Sequence, residues 1–161
     1  MKLNKPVEIE MKTFIQKGEF DCIKIGQTKE WILNNFPDPD SISNIGHNLY
    51  IWLYGNIEFH FDGELLSMIY SDYLETLNAG DNIILDKWIL NHYENLNLLE
   101  VIKKLNQSKI DFTLTHDITS RIVSISILES EVNLLFNSEE ADDINLYQLG
   151  AFSLKNKKHF D

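Results

Sequence analysis

The residues whose types and spacing are best suited to chemistry are Glu58, His60 and Asp62. Spaced i, i+2, i+4 within Ile57-Glu58-Phe59-His60-Phe61-Asp62, they leave one face of an extended segment while Ile57, Phe59 and Phe61 leave the other. Such a ladder of carboxylate, imidazole and carboxylate can bind a divalent metal, or pair an acid with a base, so a metal-dependent enzyme is one reading. The solvated face of a half-buried strand produces the same alternation with no chemistry at all. His47 and His92 could join the group only through tertiary contacts.

Little else looks catalytic. Asp38 and Asp40 flank Pro39 in a loop that could hold Ca²⁺, yet the other ligands and the glycine of a calcium loop are missing, and a helix-ending turn uses the same residues. Cys22 is the single cysteine and lies in an apolar stretch without an adjacent base, which excludes internal disulfides and cysteine-rich zinc sites and suits a reducing cytoplasm. No glycine-rich phosphate loop, His-Glu-x-x-His or Gly-x-Ser-x-Gly occurs. No catalytic residue is assigned and no cofactor is expected.

The aromatic run Tyr50, Trp52 and Tyr54 alternates with Leu49, Ile51 and Leu53, the pattern of a strand covered on both sides. The three rings are either core or, together with Glu58 and His60, the lining of a docking surface whose aromatics anchor a protein partner. Charge points the same way. Lys plus Arg number 14 against 25 Asp plus Glu, a formal charge of -11, and Arg121 is the only arginine. That balance disfavours nucleic acid, whose affinity comes from clustered cations, and attracts a basic protein. Glu129, Glu131, Glu139, Glu140, Asp142 and Asp143 crowd two later loops and could form an acidic rim that speeds encounter. No apolar run approaches the roughly 18 residues of a membrane span, and Met1–Pro6 runs into Glu8 and Glu10 without the apolar core of a secretory signal. A cytoplasmic protein with no membrane partner is expected.

The elements that must position these residues read as an α+β fold in one domain of 161 residues. Val7, Met11, Phe14 and Ile15 have helical spacing and predict a helix from Val7 to Lys17 ended by Gly18. Thr28 caps a second helix that Phe36-Pro37 must end. Asn48–Tyr54, Ile57–Phe61 and Leu65–Tyr73 make a three-stranded antiparallel meander, turning at Gly55-Asn56 and Asp62-Gly63. A connector around Asn78-Ala79-Gly80-Asp81 leads to helical stretches at Lys87–Tyr93 and Leu98–Leu105. Strands follow at Ile110–Thr115, Arg121–Leu128, Glu131–Phe136 and Asn145–Leu154, with a turn at Ser130-Glu131, and Lys155–Asp161 is a polar tail. Ile57–Asp62 aligns with Val132–Asn137, which suggests two helix-plus-meander halves at 7–77 and 86–154 with helices on one sheet face.

Phe14–Gly18, Ile25–Glu30, Phe36-Pro37-Asp38, Tyr54–Phe61 and Leu65–Ile69 together resemble a family of small bacterial proteins that includes immunity proteins of polymorphic toxin systems. The helix after Ile25-Gly26 that ends at Pro-Asp also resembles the helix-plus-meander repeats of the lipoprotein-assembly and β-lactamase-inhibitor type, with Phe36 where that family has Gly. The first resemblance implies a non-enzymatic module that neutralises a basic bacterial toxin domain. A regulatory adaptor differs from it only in its partner.

Overall fold

The computed structural model describes residues 6–156, apart from the side chains of His92, Tyr93 and Asn95. The expectation for His92, and that for the tail beyond Asn156, lie outside the described residues. The chain begins with β1 (Val7–Glu10), α1 (Met11–Lys17) and α2 (Lys29–Asn35), followed by β2 (Ser41–Gly46), β3 (Leu49–Tyr54), β4 (Ile57–Asp62) and β5 (Leu65–Ser71). A second series repeats that order: β6 (Ile83–Asp86), a 3₁₀ segment (Trp88–Asn95), α3 (Leu98–Gln107), β7 (Phe112–Asp117), β8 (Ile122–Ile127), β9 (Asn133–Asn137) and β10 (Gln148–Lys155). A short 3₁₀ turn, Ile144–Leu146, precedes β10.

The eight strands β2–β5 and β7–β10 form one antiparallel sheet in the order β2-β3-β4-β5-β10-β9-β8-β7, so two four-stranded meanders meet through their last strands. β1 and β6, the first strand of each series, pair parallel with each other. The fold is α+β, as the sequence predicts.

The two series also repeat their contacts. Thr28 caps α2 by accepting from Trp31 N–H, and Asn97 caps α3 by accepting from Glu100 N–H. Each cap bridges to the first residue of its own closing strand, Thr28 to Leu65 and Asn97 to Gln148. The residue after each cap donates into the turn before that strand, Lys29 to Glu64 O and Leu98 to Tyr147 O, both at 2.9 Å. β4 and β9, the segments aligned by sequence, are the third strands of their meanders.

Several boundaries differ from the sequence reading. Val7–Glu10 is a strand, because Val7 and Ile9 alternate with Glu8 and Glu10 and the inward pair packs beside Ile83 and Leu85; the helical spacing begins to apply only at Met11. The first meander has four strands instead of three: β2 is hidden in the sequence because a bulge at Ile45 sets its two isoleucines three apart, out of the strand period. β6 begins at Ile83, ahead of the boundary placed at 86. Trp88–Asn95 is 3₁₀ rather than α, and it starts at a tryptophan with φ +52°, a conformation bulky residues rarely adopt. The turn between β8 and β9 takes four residues, Leu128–Glu131, with Glu131 left-handed. β10 runs through Lys155, so the chain stays ordered past the expected start of the tail.

The connector is bound rather than free. Asn56 N–H donates to Asn78 O, and Asn56 Nδ2 donates to Thr76 O, so residues 76–80 pack over the β3–β4 turn. Gly55 is required there twice over: its φ is +58°, and a Cβ would sit 2.1 Å from Asn78 Oδ1.

The core lies between one face of the sheet and the helices. Phe14, Phe20, Phe36, Tyr54, Phe59 and Phe152 form a fully buried aromatic cluster with edge-to-face contacts, such as Phe14 to Phe20 at 5.7 Å between centroids. Val101 and Leu105 of α3, with Val123, Ile125, Leu134 and Phe136 of the second meander, extend the same core.

Candidate functional site

The sheet divides the five residues that sequence grouped as one docking surface. Directly paired residues of antiparallel strands share a face. Tyr50, Trp52 and Tyr54 are paired with Phe61, Phe59 and Ile57, and all face the core. Trp52 is 2% exposed, with its ring 4.4 Å from that of Phe61, and Tyr54 is buried with its hydroxyl donating to Pro37 O at 2.8 Å. Glu58 and His60 are paired with Leu53 and Ile51 and lie on the opposite, helix-free face. The single face lined by all five is therefore corrected: of the rings only Tyr50 remains partly exposed, at the margin, where Lys29 Nζ lies 3.3 Å from its ring centroid.

On the helix-free face, His60 Nε2 and Glu58 Oε1 are 3.2 Å apart. Asp62 continues the ladder at an exposed position, but among the described residues no three His, Cys, Asp or Glu side chains are arranged to hold a metal. Asp40 of the suggested calcium loop accepts from Gly55 N–H, which ties the post-helix loop to the β3–β4 turn. Cys22 is half-buried with Sγ 3.8 Å from Asn35 O; burial, and then the nearby Asp21 carboxylate, push its thiol up, away from a reactive thiolate at neutral pH.

What surrounds the Glu58–His60 pair was missed as a site. Leu53 is paired with Glu58 and Glu58 with Tyr70, while Ile51 is paired with His60 and His60 with Met68. Leu49, Ile51, Leu53, Leu65, Met68 and Tyr70 thus stand on this face around a charged centre, and no helix among the described residues covers them. Burial, and then the Asp72 and Glu58 carboxylates, push the Tyr70 hydroxyl up. The signal was present in the Leu49-Ile51-Leu53 alternation, which read as a strand covered on both sides. Within the described chain only one side is covered.

The acidic residues also fall differently. Glu129 and Glu131 lie in the β8–β9 turn, whereas Glu139, Glu140, Asp142 and Asp143 lie in the β9–β10 connection at the other end of β9, so they do not form one rim. Arg121 donates from Nε to Ser138 O at 3.0 Å and from its guanidinium to Ala141 O, clamping the second of these loops. A denser set of carboxylates comes together from three segments: Glu8 and Glu10, Glu19 and Asp21, and Asp86 border one cleft of about 570 Å³ over the β1–β6 pair.

Compared with known proteins, the chain matches no family model, no curated protein and no solved structure.

Proposed function

We propose that the protein is a non-enzymatic binding module of the bacterial cytoplasm, an immunity protein that neutralises a basic toxin domain. The observation that carries this reading is the helix-free face of the first meander, where six large apolar side chains ring the Glu58–His60 pair on a chain of charge -11. An antiparallel sheet with a water-facing side normally carries polar residues there. Apolar residues at every alternate position of β3 on both faces call for a second layer, and a partner supplies it. The acid surplus disfavours a second copy, which would bring the same charge, and favours a cationic surface whose encounter rate falls with salt. The resemblance of the first half to toxin-immunity proteins agrees in kind.

The test sequences the neighbouring genes and pairs the protein with any secreted-toxin domain that they encode. Co-expression should restore growth, and calorimetry should give a stoichiometric complex that weakens as salt rises. Neighbouring genes that encode only metabolic enzymes, or no complex at low salt, overturn the reading.

A further inference from the structure

A depression of about 290 Å³ opens on the helix-free face where β4 and β5 lose register. His60 is paired with Met68 and Phe61 with Leu66, so Ser67 is an extra residue with nothing opposite it. The bulge is tied down by two hydrogen bonds: Ser67 Oγ donates to His60 O at 3.0 Å, and Ser67 O accepts from Asn156 N–H at 2.9 Å. Bulges of this kind bend a strand and re-aim its side chains next to binding sites. Here the bend leaves a hollow between Leu49 and Met68 of this face, with Ile45 at its edge.

Building on the protein-binding reading, we propose that this hollow is the anchor pocket of the interface and takes one bulky apolar side chain of the partner, flanked in the partner's sequence by lysine or arginine. The lining is mostly apolar, and about 290 Å³ is room for a single large side chain. The flanking chemistry follows from charge complementarity: His60, Asp62 and Lys155 rim the hollow, and Glu58 Oε1 lies 3.2 Å from His60 Nε2. Two carboxylates thus stand against one lysine. Interface energy concentrates where a bulky anchor fills such a pocket inside a polar rim.

The experiment titrates the full chain with three blocked tripeptides, Lys-Trp-Lys, Glu-Trp-Glu and Lys-Ala-Lys, and follows backbone amide NMR shifts. Lys-Trp-Lys should perturb Leu49, His60 and Met68, with Glu-Trp-Glu about fivefold weaker or worse. Filling the hollow with Met68→Trp, or with Leu49→Trp should the first variant not fold, should abolish those shifts. Equal binding of Lys-Ala-Lys, or shifts centred elsewhere, overturns the pocket. The two readings separate on the toxin complex: if Leu53→Lys breaks it and Met68→Trp does not, the pocket fails and the binding module stands, whereas a complex untouched by both removes the whole face.

Discussion

Two regions of one sheet share backbone geometry and differ in what they show to solvent. A single row of paired residues crosses the helix-free face from edge to edge: Ser41, Leu53, Glu58 and Tyr70 in the first meander, then Ser153, Asn133, Ser126 and Thr113 in the second. The neighbouring row of the second meander, Ala151, Leu135, Ser124 and Thr115, is again mostly small or hydroxylated. The second meander therefore behaves as an internal control. It keeps the polar outer face that a sheet needs in water, under the same topology and beside the same closing strand. The apolar face of the first meander is a property of its residues, not of the fold. Each closing strand carries one bulge, at Ser67 in β5 and at Gly150 in β10, but only Ser67 offers a side chain to close it.

The sharpest way to break this comparison is to confuse the two faces of β3. Trp52 lies on the core face, so Trp52→Ala should cost about 3–5 kcal/mol of folding stability through the cavity it leaves. Chemical denaturation measures this directly. A loss below about 1 kcal/mol would mean that the core face has been assigned wrongly, since exposed substitutions rarely exceed that.

On the outer face the expected effects are on binding. Leu53→Lys and Ile51→Lys should leave stability nearly unchanged and weaken a basic partner about 10- to 100-fold, or about 1.4–2.8 kcal/mol. The matched changes Ser126→Lys and Thr115→Lys in the second meander should leave affinity within about twofold, as energetically neutral surface does. Equal losses on both meanders would erase the distinction and leave net charge as the whole explanation.

Much of this arrangement was legible from the sequence, and the failures have physical causes. Thr28 as a cap, Gly18 as a left-handed stop, Phe36-Pro37 as a helix end and the Ile57–Asp62 alternation each depend on neighbours in the chain, and each occurs in the structure. β2 and β6 were not legible, because one carries a bulge that breaks its period and the other is only four residues long. Whether Tyr50, Trp52 and Tyr54 are core or docking surface was not legible for a different reason. Alternation says that Leu53 and Tyr54 point apart, but with apolar residues on both sides nothing local says which side meets the helices. Only the register against Ile57–Asp62 decides that. The cleft carboxylates come from three separated segments and left no signal at all.

Arg121 tests the second region. Its guanidinium bonds to Ser138 O and Ala141 O are partly buried, whereas its partner Asp142 is wholly exposed and 3.7 Å away, so the ion pair contributes little. Arg121→Ala should cost about 1–2 kcal/mol from the two lost bonds, and it should expose residues 138–143 to faster amide exchange. The first meander's binding should not change. An Asp142→Asn variant as unstable as Arg121→Ala would show that the charge pair, rather than the carbonyl clamp, holds the loop.

The smallest effect at neutral pH becomes the most specific one in alkali. Tyr54 is buried on the core face, and burial, followed by the Asp38 and Asp40 carboxylates, pushes its hydroxyl far above the ordinary tyrosine range. Near pH 7, Tyr54→Phe loses only the hydrogen bond to Pro37 O, worth about 1 kcal/mol. The pH dependence has a definite sign. Between the unfolded value of about 10 and the raised folded value, the unfolded chain has released a proton that the folded chain keeps, so stability is constant below that range and falls as pH rises, by up to about 1.4 kcal/mol per unit. Tyr54→Phe removes that contribution, leaving the weaker one from Tyr70, whose hydroxyl is raised on the outer face. Denaturation midpoints taken from pH 8 to 11 should therefore fall more steeply for the natural chain than for Tyr54→Phe, and Tyr70→Phe should flatten the curve less. Parallel curves for the natural chain and Tyr54→Phe would place the Tyr54 hydroxyl in water and, with it, β3 the wrong way round on the core.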